Sequence, residues 1–129
     1  MAKNMVEQSP LAITFIKDGD KFVMQDRTHH PGEGIGCYGG KIEQGEKKAV
    51  AAARELKEES GLVIDPQRLR ALGQVPITNR VVYVFEYPLD DGEEIAEVEG
   101  NPIPMSMDEV RKEKRLMEAT RAAAAKFYS

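Results

Sequence analysis

The feature that most constrains this chain is a fixed spacing of glycine, glutamate and arginine over residues 40–62. It consists of Gly40, five residues, Glu46, seven residues, Arg54-Glu55, an apolar residue, one free position, Glu58-Glu59, one free position, Gly61 and an apolar residue. Residues 47–60 contain no Gly or Pro and are rich in Ala, Lys, Glu, Leu and Arg, so they are predicted to form a helix. Gly61 follows the last turn, where a left-handed cap favours glycine. The sequence therefore predicts a glycine turn followed by a capped helix.

Three carboxylates of this helix share one face, since Glu55, Glu58 and Glu59 are three and four positions apart. Like charges at that spacing destabilise a helix by about 0.2–0.5 kcal/mol per pair. A bound hard cation reverses the penalty, because Mg²⁺ prefers carboxylate oxygens together with water and phosphate oxygens. A solvated face is the ordinary interpretation of a lone Glu-x-x-Glu-Glu segment, but the filled spacing across turn and helix favours a metal site.

The pattern resembles the signature of the Nudix hydrolases, which cleave a nucleoside diphosphate linked to another group. The resemblance is specific over residues 40–62 and diffuse elsewhere. It implies an α/β fold, a Nudix-type α/β/α sandwich with a mixed central sheet. The Gly-Gly-Lys-Ile-Glu-x-Gly-Glu segment at 39–46, the chain length and the Glu-Gly-Asn-Pro segment at 99–102 look most like the MutT-type branch, the nucleoside triphosphate pyrophosphohydrolases.

A divalent-cation site on the helix is implied by this resemblance, with Mg²⁺ as the expected ion and Mn²⁺ as an alternative. Glu58 and Glu59 would be ligands. Glu55 would be either a further ligand or the general base that takes a proton from water. The carbonyl oxygen of Gly39 would add another ligand. Activity is therefore expected to fall at low pH and to vanish in chelator.

Further groups are implied around this site. Glu46 and Arg54 match positions that brace the loop against the helix and orient the carboxylates. In the MutT-type branch a carboxylate downstream of the helix adds a metal ligand. Glu99 lies where that carboxylate is expected, with Glu97 and Glu94 as alternatives.

Candidate substrate contacts lie in three segments. Lys41 directly follows the paired glycines and would contact phosphate. Arg27 lies in a loop rich in Pro and Gly, where it would meet a phosphate or a base or remain solvated. Tyr38 or Tyr83 is available to stack on a base. The chain departs from the family at Gly36-Cys37-Tyr38, where relatives commonly have an aromatic residue, an apolar residue and Pro, and it contains no Trp.

The rest of the chain predicts a sheet with a second helix. Residues 11–16 and 21–25 are typical of a β-hairpin with an Asp-Gly turn. Further strands are predicted at 35–38, within 69–77, at 80–87 and around Ile95 and Val98. The strand at 80–87 is apolar on nearly both sides, which indicates a central position. Ser106 and Glu109 form a capping box that opens a helix from about Met107 to Phe127.

Composition limits the classes of function. With 129 residues and 41% hydrophobic content, the chain suits a single domain over residues 1–129. The net charge of −4 disfavours stable binding to a nucleic-acid backbone. Cys37 is the only cysteine, so an intrachain disulfide is excluded and a reduced, cytoplasmic location is expected. No signal peptide or membrane-spanning stretch is expected, and the oligomeric state is left open.

The predicted reaction is attack of water on a nucleoside triphosphate, canonical or oxidised, which releases the monophosphate and pyrophosphate. One alternative is another Nudix hydrolase that acts on ADP-ribose, a dinucleoside polyphosphate or an RNA cap, and the subgroup-marking region 76–80 is ambiguous on this point. Another is a non-catalytic nucleotide-binding module, which the intact glutamates argue against. The last is an interaction protein that uses the C-terminal helix, for which moderate amphipathicity is the only support.

Overall fold

The structure is a computed structural model that describes residues 8–129. In chain order the elements are β1 (Leu11–Asp18), β2 (Lys21–Asp26), β3 (Ile35–Gly36), β4 (Tyr38–Lys41), α1 (Lys48–Ser60), a 3-10 helix (Pro66–Arg68), β5 (Arg70–Ile77), β6 (Arg80–Pro88), β7 (Asn101–Met105), α2 (Met107–Lys112) and α3 (Glu118–Phe127). None of the helices in this part of the chain has the length and apolar character needed to cross a bilayer.

The seven strands form one mixed sheet, in which β1 and β6 are parallel and the other pairs are antiparallel. β1 and β2 form the predicted hairpin, paired from Ile16 opposite Val23 to the turn. Beyond Val23 the two strands separate, and β3 and β4 fill the gap by pairing with β2 and β1. This insertion places Gly39 and Gly40 against the middle of the sheet, opposite the first half of β1.

Side chains of the central strands alternate between two apolar layers. On β1, Ile13 and Phe15 pack with α2 and α3, whereas Ala12 and Ile16 pack with α1. β6 lies between β1 and β5, and its residues divide between the same two layers. The predicted α/β/α sandwich with a mixed central sheet is confirmed, as is the central position of the 80–87 strand.

The single helix predicted over 107–127 is wrong, because the non-helical segment 113–117 separates α2 from α3. This segment runs beside β3. The N–H of Ile35 donates to the carbonyl of Arg115 at 2.9 Å, and the N–H of Met117 donates to the carbonyl of Ile35 at 2.8 Å. Residues 107–127 contain no Gly or Pro that would mark the break. The capping box of Ser106 with Glu109 nevertheless opens α2 as predicted.

Gly34 is the residue that admits this close contact. A Cβ at position 34 would lie 2.1 Å from the carbonyl oxygen of Arg115. We expect Gly34→Ala to reduce the free energy of unfolding by about 1–3 kcal/mol, the usual cost of overpacking, as measured by denaturant titration. Gly92→Ala is the control: its φ of +88° adds strain, but a Cβ there meets nothing within 4 Å. An unchanged free energy of unfolding in Gly34→Ala would contradict the close contact between Gly34 and the carbonyl of Arg115.

The strand predicted at 35–38 is divided in two. The N–H of Cys37 donates to Thr120 Oγ1 at 2.9 Å and so leaves the strand ladder. β3 therefore ends at Gly36, and β4 begins at Tyr38.

No strand forms around Ile95 and Val98, and this prediction is wrong. The segment instead docks on the end of α1. The N–H of Ala96 donates to the carbonyl of Ser60 at 2.8 Å, and the N–H of Glu99 donates to the carbonyl of Glu59 at 3.3 Å. The last carbonyls of a helix have no partner within it, so the docked segment satisfies them. This docking brings Glu99 beside the glutamates of α1.

Candidate functional site

Helix α1 begins and ends as its sequence predicts. It covers Lys48–Ser60, and Gly61 caps it with φ of +76° and an N–H that donates to the carbonyl of Lys57 at 3.0 Å. Ala51 and Leu56 are fully buried against the sheet. The glutamates of α1 lie on the side of the helix toward β4, and of the three only Glu58 is exposed to solvent.

Glu59 is the buried carboxylate of the site, with 6% of its surface exposed. Its Oε1 accepts the N–H of Gly39 at 2.8 Å. Burial raises the pKa of Glu59 to about 8, and the charges of Glu55 and Glu99 act in the same direction, while the Gly39 N–H and Arg27 oppose them. Negative charge at this point is therefore poorly compensated, which favours a cation.

Glu55 lies directly against the paired glycines. A Cβ on Gly40 would fall 2.4 Å from Glu55 Oε2, so only glycine lets the carboxylate approach the backbone this closely. Burial raises the pKa of Glu55, and the charge of Arg54 lowers it in part. Glu58, by contrast, has a half-exposed side chain.

Arg54 joins the turn to the helix. Its Nε donates to Glu46 Oε2 at 2.7 Å, and its Nη2 donates to Glu46 Oε1 at 2.9 Å and to the carbonyl of Lys41 at 3.0 Å. Its Nη1 lies 3.3 Å from Glu55 Oε2 and 3.2 Å from Glu58 Oε1. The paired hydrogen bonds from Arg54 lower the pKa of Glu46 to about 2. Arg54 thus contacts the turn through Glu46 and Lys41, and the helix through Glu55 and Glu58.

Glu99 lies at the C-terminal end of α1, where its N–H donates to the carbonyl of Glu59. Arg27 Nη1 is 3.8 Å from Glu99 Oε1, and Arg27 Nη2 is 3.0 Å from Glu33 Oε1. The alternatives Glu94 and Glu97 are exposed, whereas Glu99 bonds the end of α1 through its N–H and its charge raises the pKa of Glu59. Of the three downstream carboxylates, Glu99 is the one that the fold brings to the cluster.

The donor atoms at this site are of the chemical type that binds a divalent cation. Carboxylates and a backbone carbonyl are hard oxygen donors, the type that Mg²⁺ and Mn²⁺ prefer. Within residues 8–129 no three His, Cys, Asp or Glu side chains are already arranged to hold a metal ion. Arg54 engages Glu55 and Glu58, and the Gly39 N–H engages Glu59. Each of the three carboxylates uses one oxygen in these contacts, which leaves its other oxygen to coordinate a cation.

A cavity of about 210 Å³ opens beside the carboxylates, on the face of the sheet that α3 covers. Glu59, Gly39 and Gly40 form one part of its wall. The other lining residues come from β1, from β2 and the residue after it, from β3 and the loops on either side of it, and from the start of α3 and the residue before it. They are Leu11, Ile13, Gln25, Arg27, Glu33, Gly34, Gly36, Cys37, Met117, Ala119 and Thr120. A ligand that fills the cavity therefore contacts Glu59 at one end of the cavity.

Sequence reasoning missed Gln25, Met117 and Thr120. Gln25 carries a weak signal, because it is a polar residue at the end of an apolar strand, and it is 5% exposed. Met117 and Thr120 carry none, since they reach the cavity only through the break between α2 and α3.

Tyr38 does not reach the cavity, and its predicted stacking role is corrected. Its ring is 1% exposed and packs on the α1 face of the sheet, whereas Cys37 lines the cavity. The N–H of Cys37 bonds Thr120 at the start of α3, whereas Tyr38 begins β4 and packs with α1, so the two side chains lie on opposite faces of the sheet. Tyr83 also lies on the α1 face, under Lys48 Nζ at 4.2 Å. Lys41 has an exposed side chain outside the cavity lining.

Comparison with known proteins agrees with this architecture. The family model of the NUDIX domain matches residues 8–127. A comparison with curated proteins found no significant match. Among solved structures, the MutT NUDIX hydrolase of Burkholderia pseudomallei is 24% identical, with a TM-score of 0.75 over 95% of this chain and 100% of that one. The MutT protein of Methanosarcina mazei Go1 is 18% identical, with a TM-score of 0.69 over 94% and 95%.

A further structural neighbour has a different activity. The bifunctional NMN adenylyltransferase/ADP ribose pyrophosphatase of Francisella tularensis, solved with AMP and a manganese ion, is 17% identical. Its TM-score is 0.71 over 95% of this chain and 42% of that one. At sequence identities of 17–24%, these structural matches establish a shared fold.

Proposed function

The chain belongs to the Nudix family, and from this premise we propose that it hydrolyses a nucleoside triphosphate to the monophosphate and pyrophosphate with Mg²⁺. Family membership makes it a pyrophosphohydrolase that acts on phosphoric anhydride bonds of small nucleotides. Nudix hydrolases generally use divalent metal ions.

One observation carries the proposal: the cavity ends at Glu59, Gly39 and Gly40, with Glu55 in contact with Gly40. A nucleoside held in the cavity would extend its phosphates toward the carboxylates. The cavity walls are mainly apolar and come from Leu11, Ile13 and the start of α3, which suits a base. Arg27 is the cationic side chain in the lining, placed to meet a phosphate.

Glu58, Glu59, the Gly39 carbonyl and Glu99 are the groups proposed to hold the metal. When bound, Mg²⁺ polarises phosphate oxygens and lowers the pKa of the attacking water. Glu55 is the proposed proton acceptor or a further ligand. Because it lies next to Gly40, it is at the cavity end where water would attack. Arg54 holds the carboxylates in place from the far side.

ADP-ribose is the second candidate substrate, because the Francisella neighbour is a bifunctional NMN adenylyltransferase/ADP ribose pyrophosphatase. Two features favour a triphosphate. The cavity of about 210 Å³ at Glu59 suits a single nucleoside part. The two MutT structures also match this chain along nearly the full length of both chains.

A substrate panel tests the proposal. We expect canonical or oxidised nucleoside triphosphates to be turned over faster than ADP-ribose, diadenosine polyphosphates or capped RNA, with pyrophosphate as the inorganic product and no turnover in chelator. Chromatography of the products with Mg²⁺ and with Mn²⁺ would decide this. Preference for ADP-ribose, or release of orthophosphate alone from triphosphates, would overturn the triphosphate assignment and leave the family assignment in place.

A further inference from the structure

Gln25 is a buried polar residue at the end of β2, and the proposed reaction gives it no role. Its side-chain Nε2 donates to the backbone carbonyl of Glu99, 74 residues away. An amide nitrogen engaged in this way fixes the orientation of the side chain, because turning the amide over would set two oxygens against each other. The contact thus links the end of β2 to the docked segment.

The peptide groups of Glu99 are held from two sides. Its carbonyl accepts from Gln25, and its N–H donates to the carbonyl of Glu59 at the end of α1 at 3.3 Å. Its carboxylate, in contrast, belongs to a half-exposed side chain that Arg27 approaches at 3.8 Å. The backbone of Glu99 is therefore fixed between β2 and α1, while its charged end is available to a ligand.

Gly100 shows how tightly the segment fits. A Cβ there would lie 2.8 Å from Arg27 Cγ, 2.8 Å from the carbonyl oxygen of Asp26 and 3.2 Å from Gln25 Cγ. The φ of Gly100 is +84°, a conformation that side chains disfavour. Glycine at this position lets the segment descend onto the end of β2, where the Gln25 amide meets it.

We propose that Gln25 is a positioning residue, which holds the carbonyl of Glu99 so that the Glu99 carboxylate is presented to the cation site of α1. The inference rests on the proposed function, since it takes Glu99 as a ligand. It goes beyond the proposed function by naming Gln25 as the residue that orients the Glu99 carboxylate. Groups that orient a metal ligand are commonly worth about 10- to 100-fold in metal affinity.

A contact with the base is the competing role for Gln25, because it also lines the cavity. The two roles predict different losses. A base contact affects the KM for nucleotide and leaves Mn²⁺ affinity unchanged when no nucleotide is present. A positioning role weakens Mn²⁺ binding in the absence of nucleotide and depends on the Glu99 carboxylate.

The test is a double-mutant cycle with Gln25→Leu and Glu99→Gln, read as the Kd for Mn²⁺ by electron paramagnetic resonance without nucleotide. We expect each single variant to weaken Mn²⁺ binding by about 10-fold. The double variant should be no weaker than the worse single variant, because both changes remove the same interaction. The proposal would be overturned if the loss of Mn²⁺ affinity in the double variant equalled the product of the two single losses. It would also be overturned if the Mn²⁺ Kd of Gln25→Leu equalled that of the wild type.

Hydrogen exchange gives a second readout that needs no metal. The Glu99 N–H should exchange at least several-fold faster in Gln25→Leu than in the wild type, because its docking on α1 loses support. Gln74→Leu, an exposed amide on β5, is the matched control and should change neither quantity. Gln25→Met replaces Gln25→Leu if the latter does not fold, with the same expected results.

These measurements do not require turnover, so they separate two failures. Coupled loss of Mn²⁺ affinity in a protein that leaves triphosphates intact would overturn the proposed function and support the role of Gln25. Normal Mn²⁺ affinity and exchange in a Gln25→Leu enzyme that hydrolyses triphosphates would overturn the role of Gln25 alone.

Discussion

Glu59→Gln is expected to reduce turnover by about 10²–10³-fold, the loss typical when a group that stabilises charge in the transition state is removed. Glu59 is the buried member of the cluster and ends the cavity, so its charge is poorly replaced by solvent. Glutamine keeps the size of the side chain and can still accept the Gly39 N–H. The fold should therefore remain, and steady-state kinetics over a range of Mg²⁺ would measure the loss.

The same substitution should stabilise the metal-free protein at neutral pH. Burial raises the pKa of Glu59 from its ordinary 4.5 to about 8. A carboxyl group with a raised folded-state pKa supports folding fully below pH 4.5, and this support is lost as pH rises to about 8. In chelator, the Tm of the wild type should fall over that window, and the Tm of Glu59→Gln should fall less.

Glu97→Gln is the control, since Glu97 is an exposed acidic residue of the docked segment. It should keep wild-type turnover and the wild-type dependence of Tm on pH. Near-normal turnover of Glu59→Gln at limiting Mg²⁺ would contradict its proposed role as a ligand. Unfolding of Glu59→Gln would instead point to a structural role.

Arg54→Ala should lose both stability and activity. Its guanidinium bonds both carboxylate oxygens of Glu46 and the carbonyl of Lys41, and it approaches Glu55 and Glu58. Removing charge-assisted hydrogen bonds of this kind costs about 1.5–3 kcal/mol. Activity should fall about 10- to 100-fold, because the carboxylates lose the group that orients them. Thermal melting and kinetics on the same preparation would measure both effects.

Arg54→Lys separates charge from geometry. Lysine keeps the positive charge but lacks the planar fork that contacts Glu46 through two nitrogens. We expect it to recover little of the lost activity. Lys57→Ala, at an exposed position of the same helix, should change neither Tm nor turnover. Unchanged Tm and rate in Arg54→Ala would leave Arg54 as an ordinary surface charge.

The dependence of Tm on acid pH gives an independent check on the ion pair between Arg54 and Glu46. The hydrogen bonds from Arg54 lower the pKa of Glu46 from 4.5 to about 2. A carboxyl group with a lowered folded-state pKa supports folding above pH 4.5, and this support is lost as pH falls to about 2. The Tm of Arg54→Ala should therefore depend less on pH in this range than the wild-type Tm does.

The sequence by itself determined the elements that depend on near neighbours. Helix α1 follows from residue propensities and from the Gly61 cap, and α2 begins at a capping box whose partners are three residues apart. The first hairpin closes through a short turn. The spacing of Glu55, Glu58 and Glu59 likewise needs only the helical repeat to share a face. Such features are readable because the interacting groups are close in the chain.

Only the tertiary structure decided where distant groups meet. Helix α2 ends without Gly or Pro because residues 113–117 find backbone partners on β3. Tyr38 is buried away from the cavity because the division of its strand and the packing of α1 set its direction. Residues 113–117 bond a strand about 80 residues earlier, and Tyr38 packs with a helix that begins ten residues later, so no local pattern records either contact.

The placement of Glu99 has the same physical origin. Open carbonyls at the end of α1 and the amide of Gln25 capture its backbone, and these bonds form only when β2, α1 and the docked segment are already assembled. Sequence motifs could nominate Glu99 among three acidic residues. The position of Glu99 beside the glutamates of α1 was decided by hydrogen bonds that join groups 40 and 74 residues apart.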